Sequence, residues 1–352
     1  MKATFKKYTL KFKVPGGTSR GVLKTKETYF LKIQKNQKFG IGECALFKGL
    51  SADDCPDYEK KLQWLCNNIQ LNKTILLKEL QAFPSIQFGL EQALLSVNSD
   101  NKFELLPSEF SRGDGAIAIN GLIWMGDKRF MQNQIKEKLD SGFTTIKLKI
   151  GAIDFKVELD LLKSIRSEFS AKEIALRVDA NGAFHPDNAL EKLKLLSDYD
   201  LHSIEQPIKV KQWQVMADLC KKTPLPIALD EELIGVFDKS DKNEMLQIIK
   251  PQYIILKPSL IGGFRGSDEW IEVAKNNKID WWITSALESN IGLNAIAQYT
   301  YTLKNKIPQG LGTGSLFTNN ITSPLFVDKG ALHYKLNTKN KWDDSFLESL
   351  KF

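Results

Sequence analysis

Five ionisable side chains recur along the chain at a nearly constant interval, each at the end of a short apolar segment. They are Lys149, Asp179, Glu205, Asp230 and Lys257, and successive members are 25 to 30 residues apart. An interval of this length is typical of one β-strand followed by one α-helix. In a barrel of such units all strand ends meet at one mouth, so we expect the five groups to surround a single pocket.

Three carboxylates and two amines in one pocket indicate a particular chemistry. Asp179, Glu205 and Asp230 cannot all stay ionised at close range without a cation. An all-oxygen ligand set favours a hard ion, which we predict to be Mg²⁺, with Mn²⁺ as the alternative. Lys149 and Lys257 can then move protons, while the ion stabilises negative charge that develops on a substrate carboxylate.

Side-chain alternation along the predicted strands supports this arrangement. In Thr145–Ile150, Lys147 and Lys149 share one face of the strand, and apolar residues occupy the other face. In the strand that ends at Asp179, Arg177 shares the face of the carboxylate. Positive charge at Lys147 favours the neutral amine of Lys149, so we expect Lys149 to act as a base.

The hydrophobic periodicity predicts the elements that position these groups. Between about residues 113 and 320, short apolar strands alternate with amphipathic helices. The predicted strands are Ala116–Ile119, Thr145–Ile150, Ala175–Asp179, Ser203–Glu205, Ile227–Asp230, Tyr253–Lys257, Trp281–Thr284 and a last one near Gly310. Eight such strands fit a closed barrel. A doubly wound open sheet is the alternative, but no G-x-G-x-x-G motif follows an early strand.

Residues 1–112 have a different pattern, which is typical of an α+β module. The predicted elements are strands at Tyr8–Val14 and Glu27–Ile33 and helices at Tyr58–Ile69 and Ile86–Asn98. Residues 321–352 lack a βα pattern, and we expect them to pack back on this first module. The predicted division is therefore 1–112 with the tail 321–352, and a catalytic barrel over 113–320.

Composition excludes several classes of protein. The 352 residues include 49 basic and 42 acidic side chains, for a net charge of +7, and the basic residues are mostly scattered lysines. Nucleic-acid binders concentrate basic residues in patches, so we expect no nucleic-acid partner. A small acidic carboxylate substrate is compatible with this charge balance. The composition leaves open whether the protein is a monomer or a homo-oligomer.

The cysteines and the apolar runs predict the location of the protein. The four cysteines form no C-x-x-C pair, which is typical of a reducing compartment. No run of apolar residues approaches the length of a membrane span. We therefore expect a cytoplasmic protein without a membrane partner.

Several segments resemble the enolase superfamily, in its muconate-lactonizing subgroup. They are Thr145-Ile-Lys-Leu-Lys-Ile, Arg177-Val-Asp-Ala-Asn-Gly, Ile204-Glu-Gln-Pro, Ala228-Leu-Asp-Glu-Glu, Ile255-Leu-Lys-Pro-Ser, Gly40-Ile-Gly-Glu-Cys-Ala, Ile119-Asn-Gly-Leu and Gly310-Leu-Gly-Thr-Gly. The resemblance covers nearly the whole chain. It implies an α/β fold in which an N-terminal α+β capping domain covers a modified TIM barrel of the (β/α)₇β type.

The resemblance also implies a role for each candidate residue. Asp179, Glu205 and Asp230 would bind the metal, and Lys149 would take the α-proton. The remaining catalytic roles fall to Lys257, which would stabilise the enediolate, and to Lys147, which would tune Lys149. Residues implied to support the ligands are Asn181 and Glu231. Those implied to contact substrate are Arg177, Ser285, Gly312, Thr313, Ser19 and Arg20, the last two in a loop that closes over the site.

The activity implied by the resemblance is that of a lyase in menaquinone biosynthesis. Such an enzyme dehydrates succinyl-hydroxycyclohexadiene carboxylate to o-succinylbenzoate through a Mg-stabilised enediolate. An N-succinylamino acid racemase or a dipeptide epimerase is the alternative, because both use the same five catalytic positions. Gly312-Thr-Gly stands where dipeptide epimerases carry an acidic pair, which disfavours that activity. A barrel that binds an acidic ligand without catalysis is the alternative from another class.

Overall fold

The chain begins with a three-stranded antiparallel sheet covered by helices. The computed structural model describes residues 1–18, 21–124, 127–151, 153–335 and 341–350. The sheet has the order β1-β2-β3, with β1 at Lys2–Thr18, β2 at Gly21–Lys35 and β3 at Lys38–Cys44. The first two strands extend further at both ends than periodicity predicts. Ser19 and Arg20, expected in a closing loop, lie outside the described residues.

Three helices follow the sheet, namely α1 (Tyr58–Asn67), α2 (Lys73–Glu79) and α3 (Pro84–Asn98). The predictions at Tyr58–Ile69 and Ile86–Asn98 match α1 and α3, whereas α2 was not predicted. Helix α3 packs against the edge strand β3 and satisfies its outward amides. The amide of Ile41 donates to Ser96 Oγ at 3.0 Å, and that of Glu43 donates to Gln92 Oε1 at 3.2 Å.

Two glycines allow helix α3 to approach strand β3 this closely. A Cβ at Gly42 would lie 2.0 Å from the carbonyl oxygen of Gly89, and one at Gly40 would lie 2.3 Å from the amide nitrogen of Val97. Both contacts involve backbone atoms, which cannot move without displacing the helix. The glycines of the Gly40-Ile-Gly-Glu motif are therefore required by packing.

We predict that Gly42→Ala lowers the free energy of unfolding by about 3 kcal/mol, because the added methyl overpacks a backbone contact. Urea denaturation followed by tryptophan fluorescence measures the change. Gly121→Ala is the matched control, since its nearest atoms belong to the flexible side chain of Lys138 at 3.1 Å. Equal midpoints for the two variants would contradict the packing argument.

Seven parallel strands form the main sheet, in the order β11-β10-β9-β8-β7-β6-β5. They are β5 (Gly121–Ile123), β6 (Thr145–Lys149), β7 (Ala175–Asp179), β8 (Ser203–Glu205), β9 (Ile227–Leu229), β10 (Tyr253–Leu256) and β11 (Asp280–Ile283). Six of these agree with the predicted strands to within one residue at each end. The predicted α/β fold with a parallel βα barrel is confirmed.

The first barrel strand differs from the prediction. Ala116–Ile119 was expected to open the barrel, but β4 (Ala116–Ala118) pairs antiparallel with a strand near the C-terminus. Gly121–Ile123 instead pairs with β6 in parallel. Both segments are three residues long, so their alternation patterns are too short to show which one joins the barrel.

A two-residue segment, Gln309–Gly310, closes the barrel. The amide of Gln309 donates to the carbonyl of Ala118 at 2.8 Å, and the amide of Gly310 donates to the carbonyl of Ile283 at 2.8 Å. Parallel bridges join Gln309 to Ile119 and Gly310 to Thr284. This segment is the eighth strand that the (β/α)₇β pattern requires, and it lies near Gly310 as predicted.

Helices pack around the outside of the barrel. They are α4 (Glu109–Arg112), α5 (Lys128–Asp140), α6 (Phe155–Glu168), α7 (Pro186–Ser197), α8 (Trp213–Lys222), α9 (Lys239–Ile249), α10 (Gly263–Asn276) and α11 (Asn290–Thr302). Apolar residues on the outer strand faces, such as Leu176, Ile204 and Leu256, form one large core with these helices. The opposite faces of the strands are therefore free to line the barrel interior.

The C-terminal tail contacts both parts of the chain. Its elements are β12 (Leu325–Asp328), β13 (Ala331–Tyr334) and α12 (Asp344–Ser349). Strand β13 pairs with β4, next to the barrel. Phe346 packs edge-on against Tyr8 with ring centroids 5.1 Å apart, and Trp342 stacks on Phe103 at 4.1 Å. The division at residues 112 and 320 stays a prediction.

Among the described residues, no helix combines the length and the apolar character that crossing a bilayer demands.

Candidate active site

Strand register brings the predicted ionisable side chains together. Lys149 lies opposite Asp179 in the β6–β7 pair, and Asp179 lies opposite Glu205 in the β7–β8 pair. Asp230 directly follows β9, and Lys257 directly follows β10. All five groups therefore stand at the carboxyl ends of neighbouring parallel strands, where barrel active sites form.

The carboxylates and amines form a connected network of ion pairs. Lys147 Nζ lies 2.8 Å from Asp179 Oδ2 and 2.5 Å from Glu205 Oε2. Lys149 Nζ lies 3.0 Å from the same oxygen of Asp179. On the far side of the network, Lys257 pairs with Asp230.

Burial and neighbouring charges set the protonation of this network. Burial alone would raise the pKa of Asp179, but the charges of Lys147 and Lys149 outweigh burial and hold it well below its usual value. Burial and the charge of Asp179 raise the pKa of Glu205. The pKa of Lys147 is raised, because the neighbouring carboxylates outweigh the opposing effect of burial. The pKa of Lys257 is raised for the same reason.

The acidic residues fit a hard divalent cation. Across the described residues, no three acidic, histidine or cysteine side chains are arranged closely enough to hold a metal as they stand, and the amines of Lys147 and Lys257 pair with the carboxylates instead. Glu205 Oε1 is nevertheless buried without a hydrogen-bond partner, although a buried carboxylate oxygen requires one. An all-oxygen donor set with an unsatisfied buried oxygen suits Mg²⁺.

Asn181 and Glu231 connect the network to the loops above the strands. Asn181 Oδ1 accepts a hydrogen bond from Lys149 Nζ at 2.6 Å, and its Nδ2 donates to Glu231 Oε1 at 2.9 Å. The amide of Asn181 donates to Asp179 Oδ1 at 3.0 Å, with φ at +44°. Asparagine tolerates this left-handed conformation, which turns its side chain towards the lysine.

A cavity of about 290 Å³ opens over the network. Lys147, Lys149, Asp179 and Lys257 are among its lining residues. One side, which we call the capping wall, consists of Leu23, Phe47, Lys48, Gly49 and Leu50 from the N-terminal module. The opposite side, which we call the barrel wall, consists of Thr284, Ser285, Ala286 and Leu287. The cavity therefore has a charged floor and largely apolar sides.

Of the four predicted substrate contacts within the described residues, three lie at this cavity, and Arg177 does not. Ser285, Gly312 and Thr313 line the cavity, and the hydroxyls of Ser285 and Thr313 lie 2.7 Å apart. Arg177 lies deeper in the barrel, where its guanidinium is 4.1 Å from the ring centroid of Trp282 and donates to the carbonyl of Pro308 at 2.9 Å. Burial lowers the pKa of Arg177 to about 10, so its charge remains at neutral pH.

His202 also lies inside the barrel. Its ring stacks on Tyr253 at 5.1 Å and meets Trp282 edge-on at 6.0 Å. Burial and the charge of Arg177 lower the pKa of His202 to about 4, so the ring is neutral at physiological pH. These aromatic side chains fill the barrel below the reactive groups.

Several cavity residues were not predicted. They include the apolar side chains of Leu23, Phe47, Leu50, Leu122 and Trp124. Four of them stand in loops or at strand ends outside the βα repeat. A periodicity argument therefore contained no signal for them.

Two family models match the chain. Residues 131–337, more than half of the chain, match the model described as enolase C-terminal domain-like. Residues 2–97 match the model described as the MenC N-terminal domain. The two matches cover the barrel and the N-terminal module respectively.

Relatives and solved structures agree with these matches. The chain is 46% identical to an o-succinylbenzoate synthase from Desulfotalea psychrophila, over 94% of this chain and 98% of the relative. The crystal structure of MenC from Desulfotalea psychrophila LSv54 superposes with a TM-score of 0.85 at 42% identity, covering 95% of this chain and 99% of that one.

A more distant structure shares the fold. A dipeptide epimerase from Enterococcus faecalis, solved with Mg and the dipeptide L-Leu-L-Tyr, has a TM-score of 0.82 at 18% identity, covering 97% of this chain and 99% of that one. From the family models and the 46% identical relative, we conclude that the chain belongs to the enolase superfamily, in the family of the Desulfotalea o-succinylbenzoate synthase.

Proposed function

We propose that the protein dehydrates succinyl-hydroxycyclohexadiene carboxylate to o-succinylbenzoate. The observation that carries this proposal is the placement of Lys149 and Lys257 in one cavity. Their strands, β6 and β10, are four positions apart in the sheet order, and an eight-stranded barrel places such strands opposite each other. A flat ring held between them has an amine on each face. The 46% identity to a named o-succinylbenzoate synthase supports the choice of substrate.

In the proposed mechanism Lys149 serves both as base and as acid. Its neutral amine takes the proton from the carbon that carries the carboxylate, and the C–H electron pair moves into an enediolate. Those electrons then form the new ring double bond as the C–O bond to the hydroxyl breaks. Lys149 returns the proton to the departing hydroxide, so that one water is lost and the amine is regenerated.

The other charged groups stabilise and orient the intermediate. Lys257 is the cation on the opposite face and stabilises the negative charge of the enediolate. Lys147, held by Asp179 and Glu205, provides a fixed positive charge beside the substrate carboxylate. Asp179, Glu205 and Asp230 would hold Mg²⁺, which supplies positive charge where the enediolate forms.

The cavity walls suit the rest of this substrate. The apolar side chains of Phe47, Leu50 and Trp124 offer surfaces for the ring. Ser285 and Thr313 place hydroxyl groups on the barrel side, and Gly312 leaves the nearby backbone open. We assign these three residues to the succinyl group, whose carboxylate requires hydrogen-bond donors.

A paired assay tests the proposal. Conversion of succinyl-hydroxycyclohexadiene carboxylate is followed by the appearance of the aromatic product. In parallel, an N-succinylamino acid is incubated in D₂O, and exchange of its α-proton is followed by NMR. We expect kcat/KM for dehydration to exceed that for exchange by at least about 100-fold, a difference of about 2.7 kcal/mol in transition-state binding. Faster exchange than dehydration would indicate a racemase instead.

We also infer a cytoplasmic location. All four cysteines are free thiols, and Cys44, Cys66 and Cys220 are buried. Thiols persist in this state in a reducing compartment.

A further inference from the structure

The buried lysine Lys26 has no place in the mechanism above. It lies on β2 of the N-terminal module with 6% of its surface exposed, and its amine has no hydrogen-bond partner within the described part of the chain. Glu43 and Glu288 are the carboxylates whose charges act on it. A buried amine without hydrogen bonds is costly, so nearby negative charge must compensate for its lost hydration.

Glu43 joins the N-terminal module to the barrel. It stands on β3, where its Oε1 accepts hydrogen bonds from Thr28 Oγ1 at 2.8 Å and from the amide of Ser289 at 3.0 Å. Its Oε2 accepts from the amide of Gly292 at 2.9 Å. Ser289 caps helix α11 and Gly292 lies in its first turn, so Glu43 binds the positive end of that helix. A Cβ at Gly292 would lie 2.8 Å from Glu43 Oε2, which explains the glycine.

Glu288 is the second glutamate near Lys26, and it belongs to the barrel. It accepts a hydrogen bond from the amide of Ala286 at 2.7 Å and another from the hydroxyl of Ser259. Burial raises the pKa of Glu288, and the charge of Lys26 opposes this effect. The charges of two buried glutamates, one from each part of the chain, thus act on a single lysine, and Thr28, two residues from Lys26 on β2, donates to Glu43.

Both walls of the cavity contain a residue that contacts this cluster, which consists of Lys26, Glu43 and Glu288. Phe47 of the capping wall follows β3 by three residues, and its ring centroid lies 6.0 Å from Lys26 Nζ. Ala286 of the barrel wall donates its amide to Glu288. The relative position of the two walls therefore depends on how the two glutamates are held together.

We propose that Lys26 is a positioning residue that holds the capping wall against the barrel wall by neutralising repulsion between Glu43 and Glu288. The proposal rests on the proposed function, because it assigns the capping wall to substrate binding. Within the described part of the chain, Lys26 is not among the residues that line the cavity of the proposed reactive amines. Its loss therefore weakens binding of the non-reacting part of the substrate and leaves proton transfer intact.

Lys26→Met tests this assignment, with Lys24→Met as the matched control on the exposed part of the same strand. We expect Lys26→Met to raise KM about tenfold and to change kcat less than about threefold. This pattern arises when the substrate and the transition state lose the same amount of binding energy. Lys24→Met is expected to match the wild type. Lys26→Arg retains the charge and is expected to recover most of the loss.

Hydrogen exchange gives a readout that does not depend on activity. In Lys26→Met the amides of Ala286, Ser289 and Gly292 are expected to exchange at least about tenfold faster, because their acceptors repel each other. The double variant Lys26→Met/Glu288→Gln removes one cation and one anion, and it is expected to restore slow exchange at Ser289 and Gly292. If the single variant does not fold, the double variant is expected to fold and to keep slow exchange at these amides.

Two results would overturn the proposal. One is an unchanged KM in Lys26→Met, and the other is exchange at these amides that is unchanged in folded Lys26→Met or fast in the double variant. A wild-type protein without dehydratase activity would refute the proposed function, while the exchange measurement would still decide whether Lys26 holds the two parts of the chain together.

Discussion

Lys149→Ala is expected to lower kcat for dehydration by at least about 10³-fold, because one amine carries out both proton transfers in the proposed mechanism. Lys149 Nζ is held by Asp179 and Asn181, whereas the neighbouring amine of Lys147 is paired with Asp179 and Glu205. Binding of o-succinylbenzoate is expected to change less than about tenfold, since the walls are untouched. Steady-state kinetics and titration calorimetry measure the two quantities.

Lys163→Ala is the control for this variant, because Lys163 is exposed on helix α6. It is expected to retain wild-type kinetics. A Lys149→Ala protein with kcat within about tenfold of the wild type would rule out Lys149 as the base. Equal loss of turnover and of product binding would instead indicate that the cavity had collapsed.

Removal of divalent metal is expected to reduce turnover by at least about 10³-fold, since positive charge beside the developing enediolate stabilises it by several kcal/mol. Extensive dialysis against a chelator followed by kinetics measures the loss. Addition of Mg²⁺ or Mn²⁺ is expected to restore activity. Full activity in excess chelator would contradict the proposed chemistry.

A second arm of this experiment measures metal binding itself. Glu205→Gln is expected to weaken Mg²⁺ binding at least about 100-fold by calorimetry, because a charged ligand becomes a neutral amide. Asp187→Asn is the matched control, since its carboxylate is exposed at the start of helix α7. Equal affinities for the two variants would exclude Glu205 as a ligand.

The convergence of the candidate reactive residues could be predicted from sequence because a barrel repeats one simple unit. Lys149, Asp179 and Glu205 each end a strand whose alternation shows which face points inward. Alternation does not specify how far along the barrel axis a side chain lies. Arg177 shares the face of Asp179, yet it stands two residues deeper and contacts Trp282 rather than the cavity.

Elements without a clear period were missed. Helix α11 has buried residues on every side from Asn290 to Thr300, so it has no polar face to reveal its 3.6-residue repeat. The last barrel strand was predicted near Gly310, but its bounds at Gln309–Gly310 are set by bridges to distant residues. Pairing over such distances depends on tertiary structure, which local sequence patterns do not contain.

The apolar lining of the cavity could not be predicted for a related reason. Phe47 and Leu50 lie in loop structure after β3, and Trp124 follows β5. A large apolar residue in a loop has the same appearance in sequence whether it fills a core or faces a ligand. These side chains line a cavity only because the N-terminal module packs against the barrel.

Two separate segments of the chain build the cavity. The proposed catalytic residues and the residues of the capping wall can therefore change independently. The residues proposed to move protons lie at the ends of barrel strands after residue 145, whereas the capping wall lies within the first 50 residues. Mutations in one segment can accumulate while the other is conserved. Substitutions in the capping wall could therefore change which substrate fits while leaving the barrel strands unchanged.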